Sequence, residues 1–168
     1  MSSVSLPPDS YPLPELTVAA VIELSGRFLL VEERIDGRLV INQPAGHVEH
    51  GETLHAAVVR EVLEEAGCSF IPEATLGAYL WARHDGRAPY LRVAFSGSFS
   101  GSLGQRPLDK GIERVLWLSR SELKARSSRL RSPMVLRAVD DYESGRRQPV
   151  DVFEGLPIRQ LTLRAAVL

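Results

Sequence analysis

Cysteine is nearly missing from this chain: Cys68 is the only one in 168 residues. An intramolecular disulfide is excluded, and the composition fits a reducing, cytoplasmic setting. Excess charge is missing too. Lys and Arg total 20, Asp and Glu total 21, and the formal net charge is −1. Without a basic field, no nucleic-acid partner is expected. No apolar run approaches the roughly 20 residues that span a bilayer, so no membrane partner is expected either. Met1 to Leu16 carries four prolines, no Lys or Arg, and no apolar signal-peptide core. Residues 1–14 therefore read as a flexible lead-in. The four histidines, His47, His50, His55 and His84, show no zinc-site spacing. Internal repeats are also lacking.

The apolar fraction is 44% and the charged fraction 24%, as in ordinary globular domains. One domain over 15–150 is expected, with a tail at 151–168 of undetermined role. The oligomeric state is left open.

The most informative stretch runs from Gly46 to Cys68. Thr53 suits a helix N-cap, beside the acidic Glu52, and Gly67 suits a left-handed C-terminal stop. The spacing predicts a helix over Leu54 to Ala66. Val58, Val59, Val62, Leu63 and Ala66 project onto one arc. Glu61, Glu64 and Glu65 project onto the other, with Arg60 at the border, so the acids are expected to face outward. Residues at i, i+3 and i+4 are neighbours on a helix. At about 6 Å and an effective dielectric near 20, each pair of carboxylates repels by roughly 3 kcal/mol. A hard divalent cation removes that cost. Mg²⁺ held by a few carboxylates shares its other positions with water and substrate phosphates. The expected chemistry is metal-assisted attack on a phosphate or diphosphate.

Five residues separate Gly46 from Glu52, and seven separate Glu52 from Arg60. With Arg60-Glu61-Val62-Leu63-Glu64-Glu65-Ala66-Gly67 following, this frame resembles the Nudix box of the Nudix hydrolases. Only Cys68 departs, standing where the family usually has an aliphatic residue. Further segments resemble the NudJ-type phosphatase branch. They are Val31 to Gly37, Asn42 to Glu49, Pro89 to Arg92, Leu130 to Pro133 and Tyr142 to Arg146.

The resemblance implies a three-layer α/β/α sandwich around a mixed sheet, in the α/β (α+β) class. It implies a Mg²⁺ cofactor, with Mn²⁺ as a substitute. Glu64 and Glu65 would coordinate the metal, assisted by Glu61 and a backbone carbonyl at Ala45 or Gly46. Glu52 and Arg60 would brace the loop–helix junction, and Gly67 would end the helix. Glu61, Glu64 and Arg60 form the expected catalytic set. The general base differs among Nudix enzymes, and Glu61 is favoured here. The substrate implied is a nucleoside di- or triphosphate, or thiamine diphosphate or its hydroxymethylpyrimidine diphosphate precursor. The alternatives are a non-catalytic ligand sensor on the same fold, an isomerase, and a pyrophosphohydrolase of RNA ends. The retained acids, the lack of a second Cys and the lack of a basic surface argue against these in turn.

Elsewhere, Thr17 to Leu24 and Arg27 to Glu33 read as a hairpin turning at Ser25-Gly26. Arg38 to Asn42 reads as a strand leading into a Pro44–Gly46 loop. Ala74 to Arg83 and Tyr90 to Phe99 read as an antiparallel pair, and Ser96 to Gly104 as a loosening loop. Glu113 to Leu118 reads as a strand, Ser121 to Ala125 as a short helix and Ser132 to Glu143 as a longer one. Glu113 is the candidate that completes the metal site, with Asp109 its rival and a solvated strand-edge acid the plain alternative. Trp81, Arg83, Tyr90 and Arg92 are candidate substrate residues. Alternation can put Trp81 and Arg83 on one face and Tyr90 and Arg92 on the other. The aromatics would stack on a heterocycle and the arginines hold phosphate. The alternative makes the aromatics core residues and the arginines solvent-facing ends.

Overall fold

The computed structural model describes residues 12–83, 85–103 and 107–153. His84 and most of both termini, and with them the expected lead-in and tail, lie largely outside the described residues.

Among the described residues eight strands and three α-helices follow one another as β1 (Glu15–Val21), β2 (Glu23–Leu24), β3 (Arg27–Ile35), β4 (Arg38–Asn42), β5 (Ala45–His47), α1 (Leu54–Ala66), β6 (Ser69–Trp81), β7 (Tyr90–Ser100), β8 (Ile112–Leu118), α2 (Arg120–Ala125) and α3 (Met134–Glu143). One mixed sheet has the order β5-β1-β7-β6, with β1 and β7 parallel. In the other, β3 pairs antiparallel with β2, β4 and β8.

Strand alternation divides the core into two layers. Val18 and Ala20 of β1, Leu29 of β3, and Val93 and Phe95 of β7 pack under α1 against Val58 and Val62. The intervening Val21, Phe28, Leu30 and Ala94 pack on the opposite side against Leu123 of α2 and Val135, Ala138 and Val139 of α3. The result is helix, sheet, helix: the expected three-layer sandwich. Burying each such valine or leucine contributes about 1.5–3 kcal/mol.

Helix α1 has the expected bounds. Thr53 caps it by accepting the Ala56 N–H, and Gly67 closes it at φ 75° with its N–H on the Leu63 carbonyl. Ser119 and Glu122 form a reciprocal capping box that starts α2 one residue early, at Arg120.

Three readings need correction. The hairpin is real only at its tip, where Ser25 (φ 52°) and Gly26 (φ 76°) turn Leu24 back onto Arg27. β1 itself leaves for the other sheet. Val18 to Val21 are buried on both faces, under α1 on one and under α2 and α3 on the other, as suits a central strand, and β5 and β7 flank it in the sheet. Ala45 to His47 is the edge strand β5 rather than a loop. Ser96 to Ser100 continues β7 to its pairing with Ser69. Small residues serve there because β6 bulges between Pro72 and Ala74, and a methyl on Gly97 would overlap the Ile71 carbonyl.

Beyond α3 the chain returns to the edge of β6. Thr75 and Gln148 exchange backbone hydrogen bonds of 3.1 and 2.8 Å. The Val150 carbonyl accepts from Thr75 Oγ1 at 3.1 Å and lies 2.7 Å from His55 Nε2 on α1.

Candidate active site

Pairing β5 with β1 lays Gly46 directly over α1. A methyl there would overlap the Glu61 carboxylate, so this position is glycine because a carboxylate occupies the space. Arg60 holds the junction with five hydrogen bonds. It grips Glu52 with two parallel bonds, Nε to Oε1 at 2.7 Å and Nη2 to Oε2 at 3.0 Å. Nη1 reaches Glu61 at 2.7 Å and Glu64 at 3.0 Å, and Nη2 reaches the His47 carbonyl at 2.9 Å. Glu52 also accepts the Glu49 N–H. Its acidity rises chiefly through the Arg60 contact.

The expected outward acidic face is corrected here. Only Glu64 is open to solvent, while Glu61 and Glu65 are buried at 7% and 8% exposure and Leu63 turns outward. The helical projection could not register that β5 covers that arc. Burial pushes the Glu61 carboxyl up against the pull of Arg60. Glu65 is pushed up to about 9 by burial. The Ala45 N–H at 2.8 Å pulls it back down, while Glu61, Glu33 and Asp109 add repulsion.

These acids line a cleft of about 430 Å³, together with Asp109, Ala45 and Gly46. The Asp109 N–H bonds the Glu64 carbonyl at 2.9 Å, tying its loop to α1. Glu113 does not line the cleft. It pairs at 2.8 Å with Arg34, which does line the cleft, as does the rival candidate Asp109.

Among the described residues no three metal-ligating side chains already converge on one point, and Arg60 and the Ala45 N–H engage the glutamates. The chemistry of the set nonetheless fits a hard divalent cation: oxygen donors only, crowded and mutually repelling. Glu61, Glu64 and Glu65, with the Ala45 or Gly46 carbonyl, are the residues that would hold it.

The cleft's other end is cationic. Trp81 and Tyr90 are direct cross-strand partners, so they share a face, and Arg92 lies two residues on from Tyr90 on that same face. This corrects the expected division into two faces. The two rings stack at 6.2 Å, and the Arg83 guanidinium sits 5.1 Å from the centre of Tyr90. Tyr90 is therefore covered, and only Trp81, half-buried at the rim of a smaller cavity of about 230 Å³, keeps a ring surface to offer. Arg83 also donates to the Tyr90 hydroxyl at 2.8 Å and grips Asp85 with two bonds. Arg92 is buried and donates to Asn42 Oδ1 at 3.1 Å. Burial pulls its guanidinium down to about 10.

Sequence reasoning gave no role to Thr17, Glu33, Asn42 or Arg131, all of which line the cleft. Glu33, Asn42 and Arg131 stood in family-like segments. Nothing in the spacing of Thr17 marks it.

The NUDIX domain profile matches residues 13–138. The chain is 39% identical over 140 residues to "Phosphatase NudJ" of Escherichia coli strain K12, covering 83% of this chain and 90% of that protein. A NUDIX hydrolase structure from Nitrosomonas europaea superposes with a TM-score of 0.82 at 43% identity, over 86% of this chain and 98% of that one. A bifunctional NMN adenylyltransferase/ADP ribose pyrophosphatase from Francisella tularensis, solved with AMP and a Mn ion, shares the fold. Its TM-score is 0.62 at 21% identity, over 81% of this chain and 43% of that one.

Proposed function

The chain belongs to the Nudix hydrolase family, and on that premise we propose that it is a Mg²⁺-dependent hydrolase of a phosphoanhydride bond in nucleoside di- and triphosphates or thiamine-type diphosphates. Mn²⁺ is the expected substitute. The observation that carries the reading is the Arg60 hub, which fixes three glutamates beside a glycine strand with no room for a side chain.

When bound, the cation supplies charge neutralisation and an acidified water. Glu64 and Glu65 are the primary ligands in this reading. Glu61 accepts the proton from the attacking water on its carboxylate, which Arg60 Nη1 orients at 2.7 Å. Arg60 is a positioning residue: it keeps Glu61 and Glu64 in register through the Glu52 brace. Asp109 borders the same end of the cleft. Trp81, Arg83, Tyr90 and Arg92 bind the rest of the substrate. No helix among the described residues is long and apolar enough to cross a membrane. The lone, buried Cys68 supports a reducing, cytoplasmic setting.

A panel of nucleotides and thiamine diphosphate with Mg²⁺, followed by released phosphate and pyrophosphate, tests the proposal. Turnover should vanish in excess chelator and return with Mg²⁺ or Mn²⁺. Full turnover in chelator refutes the metal mechanism.

A further inference from the structure

The floor of the cationic end holds polar atoms that the fold leaves unused. Thr17 and Arg92 are register partners on the parallel strands β1 and β7 and lie side by side. Both are at least nine-tenths buried, at 3% and 5% exposure, and both line the cleft. Thr17 Oγ1 and Arg92 Nε have no hydrogen-bond partner among the described residues. A buried donor without a partner costs about 1–3 kcal/mol, so two such residues side by side in the cleft wall mark a place for a ligand.

Tyr90 adds a third. Its hydroxyl oxygen accepts from Arg83 at 2.8 Å and faces Arg131 Nη2 at 3.5 Å, which leaves its own proton to donate. The local acceptors are already engaged. Asn42 Oδ1 takes Arg92, the Asn42 amide donates to Glu33 at 3.2 Å, and Glu33 faces Arg131 at 3.8 Å. The guanidinium groups of Arg83, Arg92 and Arg131 face Asp85 and Glu33, with Glu15 and Glu65 adding their fields, so the charges are balanced while hydrogen-bond donors remain free. The unspent capacity is therefore hydrogen-bond donors, carried in part on guanidinium groups. A heterocycle edge, which alternates donors and acceptors, matches this poorly. An anion matches it well.

We propose that Thr17, Tyr90, Arg92 and Arg131 form an anion subsite for a phosphoryl group of the substrate beyond those gripped at the acidic face. This rests on the hydrolase reading above and chooses within it. Nucleoside triphosphates, which carry the extra phosphoryl group, are the preferred substrates. Thiamine diphosphate, whose thiazolium ring is a cation, is disfavoured.

The test compares kcat and KM for adenosine triphosphate, adenosine diphosphate and thiamine diphosphate in wild type, Arg131→Gln, Arg131→Lys and Thr17→Val. Losing one charge-assisted hydrogen bond should raise the triphosphate KM about tenfold more than the diphosphate KM. Lysine at 131 should restore part of the difference. Thr17→Val removes only an unpartnered hydroxyl, so it should fold and show the same KM bias. Parallel KM shifts on all substrates, or a wild-type preference for thiamine diphosphate, overturn the subsite. Absence of any wild-type turnover strikes the hydrolase reading instead. The subsite is then judged by calorimetric titration of metal-free protein with adenosine monophosphate. Wild type should bind it about tenfold more tightly than Arg131→Gln, and equal affinities overturn the proposal.

Discussion

The two ends of the cleft are built by opposite rules. At the acidic end, like charges come from one helix and are held together by a single arginine with all its donors engaged. At the cationic end, arginines from separate segments surround one phenol, and donors are left over. One end has carboxylates in surplus and calls for a cation. The other has donors in surplus and calls for an anion. A metal-bridged polyphosphate carries both charges in sequence and satisfies both ends at once. Uncompensated polar groups thus indicate where a ligand belongs more directly than fully paired ones do.

The sharpest way to break this contrast is at the acidic end. Glu64→Gln should lower kcat by about 10²-fold or more and leave the melting temperature near wild type, since the side chain is 44% exposed. Near-normal turnover removes Glu64 from the ligand set. Arg60→Ala should cost a comparable or slightly smaller factor, on the order of 10², by releasing Glu52, Glu61 and Glu64 together. Arg60→Lys should rescue little, because an ammonium cannot reproduce the planar two-bond grip on Glu52. If lysine restores full activity, the hub is a simple charge.

Glu65 sharpens the same comparison through pH. Its folded-state value, about 9, lies above its ordinary value of 4.5, so the folded protein holds the proton that the unfolded chain releases. Metal-free stability should therefore be full below about 4.5 and fall as pH rises towards 9. Glu65→Gln keeps an acceptor for the Ala45 N–H and should flatten that decline. Thermal melts across this range, with chelator present, check the sign. A decline as steep as wild type in the variant refutes it.

Trp81→Ala probes the cationic end and should do less. It removes an aromatic pair worth about 0.5–1.5 kcal/mol beyond area burial and loosens Tyr90. KM should rise more than kcat falls. A normal KM with a lower melting temperature would make Trp81 packing alone. The smallest effect belongs to Glu113→Gln, which breaks only an exposed pair worth about 0–1 kcal/mol. Asp109→Asn should impair turnover more. The reverse order would place Glu113, rather than Asp109, at the metal site.

The acidic end was legible in sequence because its residues are close neighbours along one helix, where spacing alone fixes geometry. Even there, the burial of Glu61 and Glu65 was hidden. It depends on β5, a strand of three residues whose only sequence sign was a Pro-Ala-Gly turn. The cationic end was half legible. Trp81, Arg83, Tyr90 and Arg92 stand close in the chain, but their shared face follows from cross-strand register, which alternation within one strand cannot supply. Thr17 and Arg131 reach the site only through the long-range β1–β7 pairing and the return of the chain before α3. The same pairing explains why the anticipated β1–β3 hairpin does not form. Two runs of alternating apolar residues look alike whether they pair with each other or with other partners.

The short return of the chain to β6 sets where this protein can be cut or extended. Thr75 is fully buried, and its N–H and C=O are both met by Gln148. A version ending before Gln148 would strand that amide and expose a sheet edge able to recruit a second molecule, so it should be prone to aggregate. It would also leave His55 without the Val150 carbonyl, loosening the start of the helix that carries the glutamates. Fusions and affinity tags joined beyond Phe153 leave this seam closed.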